Sequence, residues 1–211
     1  MRLDHVSYAA APGHLADVVQ RIGAAVGAGF TDGGLHPRFG TRNFVLPLAG
    51  GTYLEVVGAL DHPAADRAPF GQAVKARAEA GGGWLGWVVA VEDLAPVEER
   101  LGRPAVAGHR VRPDGFDLRW QQIGVLDLIA DPQLPFFISW ETGPDEHPSS
   151  GGGRVAIERL ELAGDPDTVT DWLGGPADHP LEDVAVDWVE AEDPGLVAVH
   201  FATARGTIRI D

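Results

Sequence analysis

Two side chains able to do chemistry, His5 and Glu55, interrupt runs of residues that otherwise predict buried strands. His5 lies in the alternating residues 3–10, and Glu55 lies in residues 52–58, which are rich in β-branched and aromatic side chains. A carboxylate inside a buried strand is costly unless it is paired or bound to a metal. An imidazole and a carboxylate together can act as a general base or hold a metal ion. The alternative is a structural hydrogen bond.

Strand periodicity predicts which way the side chains around His5 point. Successive side chains of a strand face opposite sides of the sheet. His5 should therefore share one face with Leu3 and Ser7. Asp4 and Val6 should share the other face.

A turn-rich span further along offers groups able to bind a small ligand. They are an imidazole, a hydroxyl, a guanidinium and a carboxamide, from His36, Thr41, Arg42 and Asn43. Arg42 and Asn43 suit a ligand carboxylate or carbonyl oxygen. The alternative is structural, with Gly40 and Thr41 forming a turn and Asn43 bonding at the start of a strand.

Several tryptophans lie on strands predicted in the middle of the chain: Trp84, Trp87, Trp120 and Trp140. Aromatic residues on strands most often belong to a core. Alternation places Trp84 and Trp87 on opposite faces, so these tryptophans cannot all line one cavity. Trp120, which has polar neighbours on both sides, is the candidate for a pocket wall.

Hydrophobic periodicity predicts the elements that position these residues. Residues 15–26 carry apolar side chains at helical spacing, residues 41–46 alternate as a strand, and residues 52–58 form a β-branched and aromatic run typical of a buried strand. The order strand, helix, strand, strand, strand begins again near residue 84 and near residue 154. We therefore predict an α+β fold of βαβββ units at residues 1–80, 84–143 and 154–211. Each unit would leave one sheet face to meet a neighbour.

Composition narrows the classes of partner and compartment. The formal net charge is -15, from 31 acidic and 16 basic residues, so the chain should repel nucleic acids. There are 0 cysteines, which excludes disulfides and thiolate chemistry. No apolar segment predicts a signal peptide or a membrane span. These features predict a soluble, cytoplasmic protein.

Paired βαβββ units with a histidine in the first strand and a glutamate in the last resemble the vicinal oxygen chelate superfamily. The opening MRLDHV and the segments LHP, FGTRN, YLE and LPFFISW more closely resemble its glyoxalase-like domain subfamily. The resemblance covers roughly residues 1–142. It implies two units that curl their sheets into one cup, with a divalent metal (Zn, Ni, Mn or Fe) at its floor.

The resemblance implies metal ligands from the first and last strand of each unit, and His5 and Glu55 match the first pair. The second pair falls on Gly86 or Trp87 and near Ile138. None of these side chains binds a metal. A catalytic zinc typically has three protein ligands. A third ligand would have to come from His36 or His109, or from substrate and water.

Two functions follow from this partial site. The first is a small-molecule enzyme, a lyase, isomerase or dioxygenase, in which His5 and Glu55 bind a metal or act as acid and base. The second is a metal-free binding protein of the resistance type, whose cup sequesters an aromatic or cationic compound. The third unit would pack against the cup or form a homodimer interface.

The remaining histidines match no motif. Four of them are predicted on the surface or in loops: His14, His62, His147 and His179. His200 alternates with Val199 and Phe201 and is predicted to be a hydrogen-bonded core residue.

Overall fold

The computed structural model describes residues 1–175 and 181–211, and most of the predicted segments form the expected elements there. The helices are α1 (Leu15–Val26), α2 (Pro69–Glu79), α3 (Ala95–Leu101), α4 (Asp127–Ala130) and α5 (Pro166–Leu173). The first strands are β1 (Arg2–Ala9), β2 (Thr31–His36), β3 (Thr41–Pro47), β4 (Tyr53–Ala59), β5 (Gly83–Ala90) and β6 (Val106–Val111). The others are β7 (Asp117–Ile123), β8 (Phe136–Trp140), β9 (Ala156–Ala163), β10 (Ala185–Trp188), β11 (Gly195–Thr203) and β12 (Gly206–Ile210). The sequence analysis did not anticipate α4.

Strands β1 to β8 close into a barrel in the order β1-β4-β3-β2-β6-β7-β8-β5. Strand β1 pairs in parallel with β4 and antiparallel with β5, so the barrel is mixed. On the opposite side β2 meets β6 at a single described pair, Leu35 with Val111. The α+β class and the curled mixed sheet are confirmed. The division into repeated units at residues 1–80, 84–143 and 154–211 stays a prediction.

The last strands form a separate sheet in the order β10-β9-β11-β12. Its buried face carries Leu160, Leu162 and Phe201, which belong to the same hydrophobic cluster as Val6 and Trp87 of the barrel. This sheet therefore covers the outer side of β1 and β5. Burying such side chains contributes about 1.5–3 kcal/mol each, which holds the sheet against the barrel.

A β-bulge in β1 changes the direction of the side chains that precede His5. Leu3 pairs with Val89 and His5 pairs with Val88, which leaves Asp4 as an extra residue. Leu3 consequently joins the outer hydrophobic cluster while His5 faces the barrel interior. The prediction that Leu3 and His5 share a face is wrong, because strict alternation fails at a bulge.

A second irregularity affects the tryptophans of β5. Ser7 pairs with Gly86 and Tyr8 pairs with Trp84, so Leu85 is an extra residue in β5. Trp84 and Trp87 therefore both pack in the outer cluster, and the prediction of opposite faces is wrong.

Among the described residues, no helix is long and apolar enough to cross a membrane.

Candidate functional site

A small cavity lies inside the barrel, with a volume of about 30 Å³. Its wall combines polar, charged and aromatic side chains: His5, His36, Phe39, Asn43, Tyr53, Glu55, Phe70, Arg110, Trp120, Gln122, Phe136, Ile138 and Trp140. A cavity of about 10–15 Å³ can hold one water molecule. The cavity therefore has room for one or two waters, or for one end of a larger molecule.

His5 is held by the carboxylate that precedes it in the chain. The Nδ1 atom of His5 lies 2.7 Å from Oδ1 of Asp4, and both residues are buried. Because an ionised carboxylate only accepts hydrogen bonds, Nδ1 carries a proton, and in the neutral imidazole Nε2 is then the atom with the lone pair. Nε2 has no hydrogen-bond partner among residues 1–175 and 181–211. The ring of Tyr53 stacks on the imidazole at 4.3 Å between centroids, which further fixes its orientation.

Asp4 is fully buried and accepts hydrogen bonds from more than one direction. The Nε1 atom of Trp140 donates to its Oδ2 at 3.1 Å, and Nε2 of His147 lies 3.2 Å from the same oxygen. Burial would raise the pKa of Asp4, but the hydrogen bonds from His147 and His5 outweigh it and hold that pKa well below its usual value. Asp4 is therefore ionised. His147 does lie in a loop, as predicted, but it contacts the site.

Glu55 is held by hydrogen bonds to both of its oxygens. The hydroxyl of Ser7 donates to Oε2 at 2.7 Å, and the amide of Asn43 donates to Oε1 at 2.6 Å. Burial opposes ionisation, yet attraction to His36 and His5, with these hydrogen bonds, lowers the pKa of Glu55. His5 and Glu55 line the same cavity, but no direct hydrogen bond joins them in the part of the chain that the structure describes.

Arg110 of β6 places a guanidinium on the cavity wall, and the sequence analysis missed it. Its NH1 group donates to Oδ1 of Asn43 at 3.0 Å, so Asn43 links Arg110 to Glu55. Burial lowers the pKa of Arg110, against the attraction of Tyr53 and Glu55. An arginine remains protonated at neutral pH even so. The only available signal was its place in an alternating strand, with no family motif to mark it.

His36 also lines the cavity, as a neutral imidazole. Its Nδ1 lies 2.7 Å from the hydroxyl of Thr41. Burial lowers the pKa of His36 from 6.5 to about 4, although the charge of Glu55 opposes the shift. Thr41 is not part of the cavity wall. It is buried and orients His36, which differs from the direct ligand contact predicted for it.

Two glycines leave the space that the site residues occupy. A Cβ atom on Gly33 of β2 would collide with the side chains of Asn43 and Arg110. A Cβ atom on Gly108 of β6 would collide with the indole ring of Trp120. Glycine at these positions leaves room for side chains of the neighbouring strands to lie over the backbone.

Trp120 lines the cavity, and it fixes the orientation of the neighbouring Gln122. The Nε1 group of Trp120 donates to Oε1 of Gln122 at 2.7 Å. Because the indole only donates, the amide oxygen must face it and the NH2 group must point away. That NH2 group makes no hydrogen bond within residues 1–175 and 181–211. A buried donor is therefore available at the cavity wall.

The second ligand pair of the resemblance is replaced by apolar side chains. Phe136 and Ile138 of β8 line the cavity. Gly86 has no side chain, and Trp87 points to the outer cluster, where its Nε1 donates to the carbonyl of Gln133 at 2.9 Å. One half of the wall is thus polar and the other half mainly apolar.

Arg42 is the predicted ligand-binding residue that the structure places elsewhere. It alternates with Thr41 and Asn43 and therefore points out of the barrel, where its NH2 group lies 2.8 Å from Oδ2 of Asp32. His109, considered as a third metal ligand, also faces outward and pairs with Asp117 at 2.8 Å. Both corrections follow from strand alternation.

The other histidines lie away from the cavity. His14 pairs with Asp17 at 3.1 Å, and His62 accepts a hydrogen bond from the backbone of Ala64 in a loop. His200 lies 2.6 Å from Glu161, so it has a partner, but it is only half-buried instead of in the core. His179 lies outside the described residues.

The arrangement does not fit a metal with three protein ligands. Among the described residues, no group of at least three His, Cys, Asp or Glu side chains is placed to hold a metal ion. Both oxygens of Glu55 and Nδ1 of His5 already have partners in this chain. A catalytic zinc typically has three protein ligands, and harder ions need several oxygen donors. The predicted divalent metal stays a prediction, and no chemical step is derived through it.

A closed mixed barrel with a histidine and a glutamate on its inner wall defines a barrel of the vicinal oxygen chelate type. The sequence profile of a family described as "Glyoxalase-like domain" matches residues 3–203. The chain belongs to the glyoxalase-like domain family. The match extends through β9, β10 and β11 of the C-terminal sheet, beyond the roughly 142 residues over which the resemblance was traced from the sequence. None of the curated proteins compared matches the chain.

Solved structures are similar to the chain at low sequence identity. A hypothetical protein from Staphylococcus aureus is 14% identical, with a TM-score of 0.73, covering 100% of this chain and 98% of that one. Methylmalonyl-CoA epimerase from Mycobacterium tuberculosis is 16% identical, with a TM-score of 0.45, covering 68% of this chain and 89% of that one. A Streptomyces coelicolor methylmalonyl-CoA epimerase variant bound to 2-nitronate-propionyl-CoA is 16% identical, with a TM-score of 0.45, covering 67% and 99%. The Staphylococcus aureus structure supports the fold over the whole chain.

Proposed function

We propose that this protein is an acid/base enzyme that removes the proton next to the carbonyl group of a small carbonyl compound. The observation that carries the proposal is the pair of His5 and Asp4, with Nε2 of His5 unpartnered among the described residues and His5 on the cavity wall. A base must reach the substrate proton and hold the right tautomer, and Asp4 fixes that tautomer. The proposal covers isomerases and lyases.

In the proposed step Nε2 of His5 takes a proton from the carbon beside the carbonyl. The C–H bond breaks, the N–H bond forms, and the electron pair moves to the carbonyl oxygen to give an enolate. Return of the proton to the same or another carbon completes an isomerisation, whereas loss of a leaving group completes an elimination. Asp4 and Glu55, both ionised, stabilise the imidazolium that forms.

The enolate oxygen needs positive partners, and the cavity wall provides them. Arg110 carries a fixed positive charge, and Gln122 presents an NH2 donor. Donors aimed at developing charge in a water-poor site are typically worth about 2.7–4 kcal/mol each. His36, neutral at pH 7, is a further hydrogen-bonding group on the same wall.

The sequestering function is less well supported by the size of the site. Pockets that enclose a drug-sized ligand typically have volumes of about 300–1,000 Å³. The cavity here is about 30 Å³, enough for the reacting end of a molecule but not for a whole aromatic compound. A dioxygenase activity would require a metal, for which the donor set is incomplete.

The experiment is solvent exchange: pyruvate is incubated in D2O with the protein, and loss of its methyl proton signal is followed by NMR. We expect acceleration over buffer, and a loss of about 100-fold or more in His5→Gln, as for general bases. No acceleration with any short 2-oxo acid, ketone or thioester would overturn the proposal. Near-stoichiometric metal that disappears in His5→Ala, measured by elemental analysis without chelators, would overturn the metal-free mechanism.

The homodimer, the cytoplasmic location and the lack of nucleic-acid binding stay predictions. We propose that the C-terminal sheet stabilises the barrel within one chain, because it shares a hydrophobic cluster with β1 and β5. Light scattering on the purified protein measures the oligomeric state directly.

A further inference from the structure

A second pocket adjoins the cavity on the outside of the barrel and has a volume of about 160 Å³. It lies between the start of α2, the segment that leads into β6 and the residues after β7. Its wall is mainly apolar: Phe39, Pro69, Phe70, Arg103, Pro104, Val106, Gln122, Ile123, Gly124, Val125 and Leu126. An apolar cavity of about 150 Å³ lined by aliphatic and aromatic side chains takes up benzene. This outer pocket therefore matches the size of a phenyl ring or a short branched alkyl group.

The two cavities share part of their walls. Phe39, Phe70 and Gln122 line both of them, and all three side chains are buried. The rings of Phe39 and Phe70 lie 5.7 Å apart at their centroids. These three residues form a neck, the stretch of wall that the polar cavity and the outer pocket share.

The outer pocket also explains two unusually exposed apolar side chains. Val106 is 55% exposed and Leu126 is 61% exposed, and both line this pocket. Exposed large apolar residues that adjoin one another in a concave site are typical of ligand-binding surfaces. Ile129 is 53% exposed and lines a different pocket, so it is a control of similar exposure that does not contact this one.

We propose that the substrate is a 2-oxo acid with an apolar tail, whose head enters the inner cavity while its aromatic or branched alkyl tail occupies the outer pocket. This inference rests on the proposed function and names its substrate class. Arg110 suits the carboxylate of the head. The free NH2 group of Gln122 stands at the neck, where it donates to the carbonyl oxygen. The tail is recognised by burial against Val106, Val125 and Leu126.

The test compares 2-oxo-4-phenylbutanoate with pyruvate, both for binding, by tryptophan fluorescence, and for proton exchange in D2O. Filling an apolar pocket is worth about tenfold or more in discrimination. We expect the wild type to bind the phenyl compound at least about tenfold more tightly than pyruvate. Leu126→Lys and Val106→Lys should bring that ratio close to one, whereas Ile129→Lys should keep it.

The outcomes separate this inference from the proposed function. In His5→Gln the binding ratio should persist although proton exchange is lost. A wild-type ratio near one, or a ratio that Leu126→Lys and Val106→Lys leave unchanged, would overturn the tail pocket even if pyruvate exchanges its protons. If no compound exchanges protons but the ratio still depends on Leu126, the reaction is wrong and the tail pocket stands. Circular dichroism of each variant checks that it is folded.

Discussion

The two halves of the cavity wall differ in what they contribute. Strands β1 to β4 supply His5, His36 and Glu55, whose side chains are all hydrogen-bonded. Strand β8, on the other side, supplies Phe136 and Ile138, which pack without polar partners. A family resemblance implies metal ligands on both halves, yet only one half has ionisable side chains at the matching positions, His5 and Glu55. The difference teaches that one barrel wall can combine a hydrogen-bonded polar half with an apolar half.

The largest expected effect comes from Asp4, which positions His5. In Asp4→Asn the amide no longer fixes the Nδ1–H tautomer, so proton exchange should fall by about 100-fold or more. The value of kcat should fall much more than KM changes, and the pH profile should shift, which a structural role would not produce. Ile138→Val in the apolar half should leave exchange within about tenfold of the wild type. Equal losses in both variants would contradict the division between the halves.

Removing the carboxylate at Glu55 should destabilise the fold. Glu55→Ala leaves the buried donors of Ser7 and Asn43 without partners, which should lower the free energy of unfolding by about 3 kcal/mol. Urea unfolding measures this loss. Ile138→Val provides the comparison from the apolar half, where deleting one methyl group should cost about 1 kcal/mol. A smaller loss for Glu55→Ala than for Ile138→Val would show that the hydrogen bonds are not holding the polar half.

The polar half should also make stability depend on pH through His36. Its pKa is about 4 in the folded state against 6.5 for an ordinary histidine, so the unfolded chain binds more protons between these values. Stability should therefore fall as pH drops from 6.5 towards 4, by about 3 kcal/mol in total for this residue. Urea unfolding at a series of pH values, with His36→Gln as the matched variant, measures the contribution. A slope unchanged in His36→Gln would contradict it.

Gly33 tests how closely β2 approaches the side chains of Asn43 and Arg110. In Gly33→Ala the new methyl group must displace Asn43 and Arg110, which should cost about 2 kcal/mol and weaken proton exchange. Gly29→Ala is the control, because nothing lies near a Cβ atom at that position. Thermal unfolding and the exchange assay measure both effects. Similar behaviour of the two variants would show that the space beside Asn43 is not needed.

The smallest effect is expected for Arg42, on the outer side of the polar half. Its pair with Asp32 is partly exposed, so Arg42→Ala should cost about 0.5 kcal/mol or less. Proton exchange should not change, because Arg42 does not reach the cavity. A large loss of activity in this variant would restore the original prediction that Arg42 binds the ligand.

Prediction from sequence was most successful where periodicity decides the outcome. The β-branched and aromatic composition of residues 52–58 was enough to predict a buried strand with Glu55 inside it, and the strand forms at Tyr53–Ala59. Helical spacing was enough for α1, observed at Leu15–Val26. The role of Arg42 as a ligand-binding residue stays a prediction, and strand alternation turns its side chain away from the cavity that Asn43 lines. Gly33, Arg110 and His147 carried no local pattern that links them to His5 or Glu55.

The sequence by itself determined the α+β class, the strand positions of His5 and Glu55, and membership of the glyoxalase-like domain family, because these depend on local periodicity and on motifs within single segments. Only the tertiary structure decided that Asp4 turns towards His5 at a bulge. It also decided that Asn43 joins Glu55 to Arg110. His147 contacts Asp4 although the two are 143 positions apart in the chain. Barrel closure brings distant strands within hydrogen-bonding distance, and a single extra residue in β1 reverses the face on which a side chain lies. Neither effect is encoded in the spacing of residues along one strand.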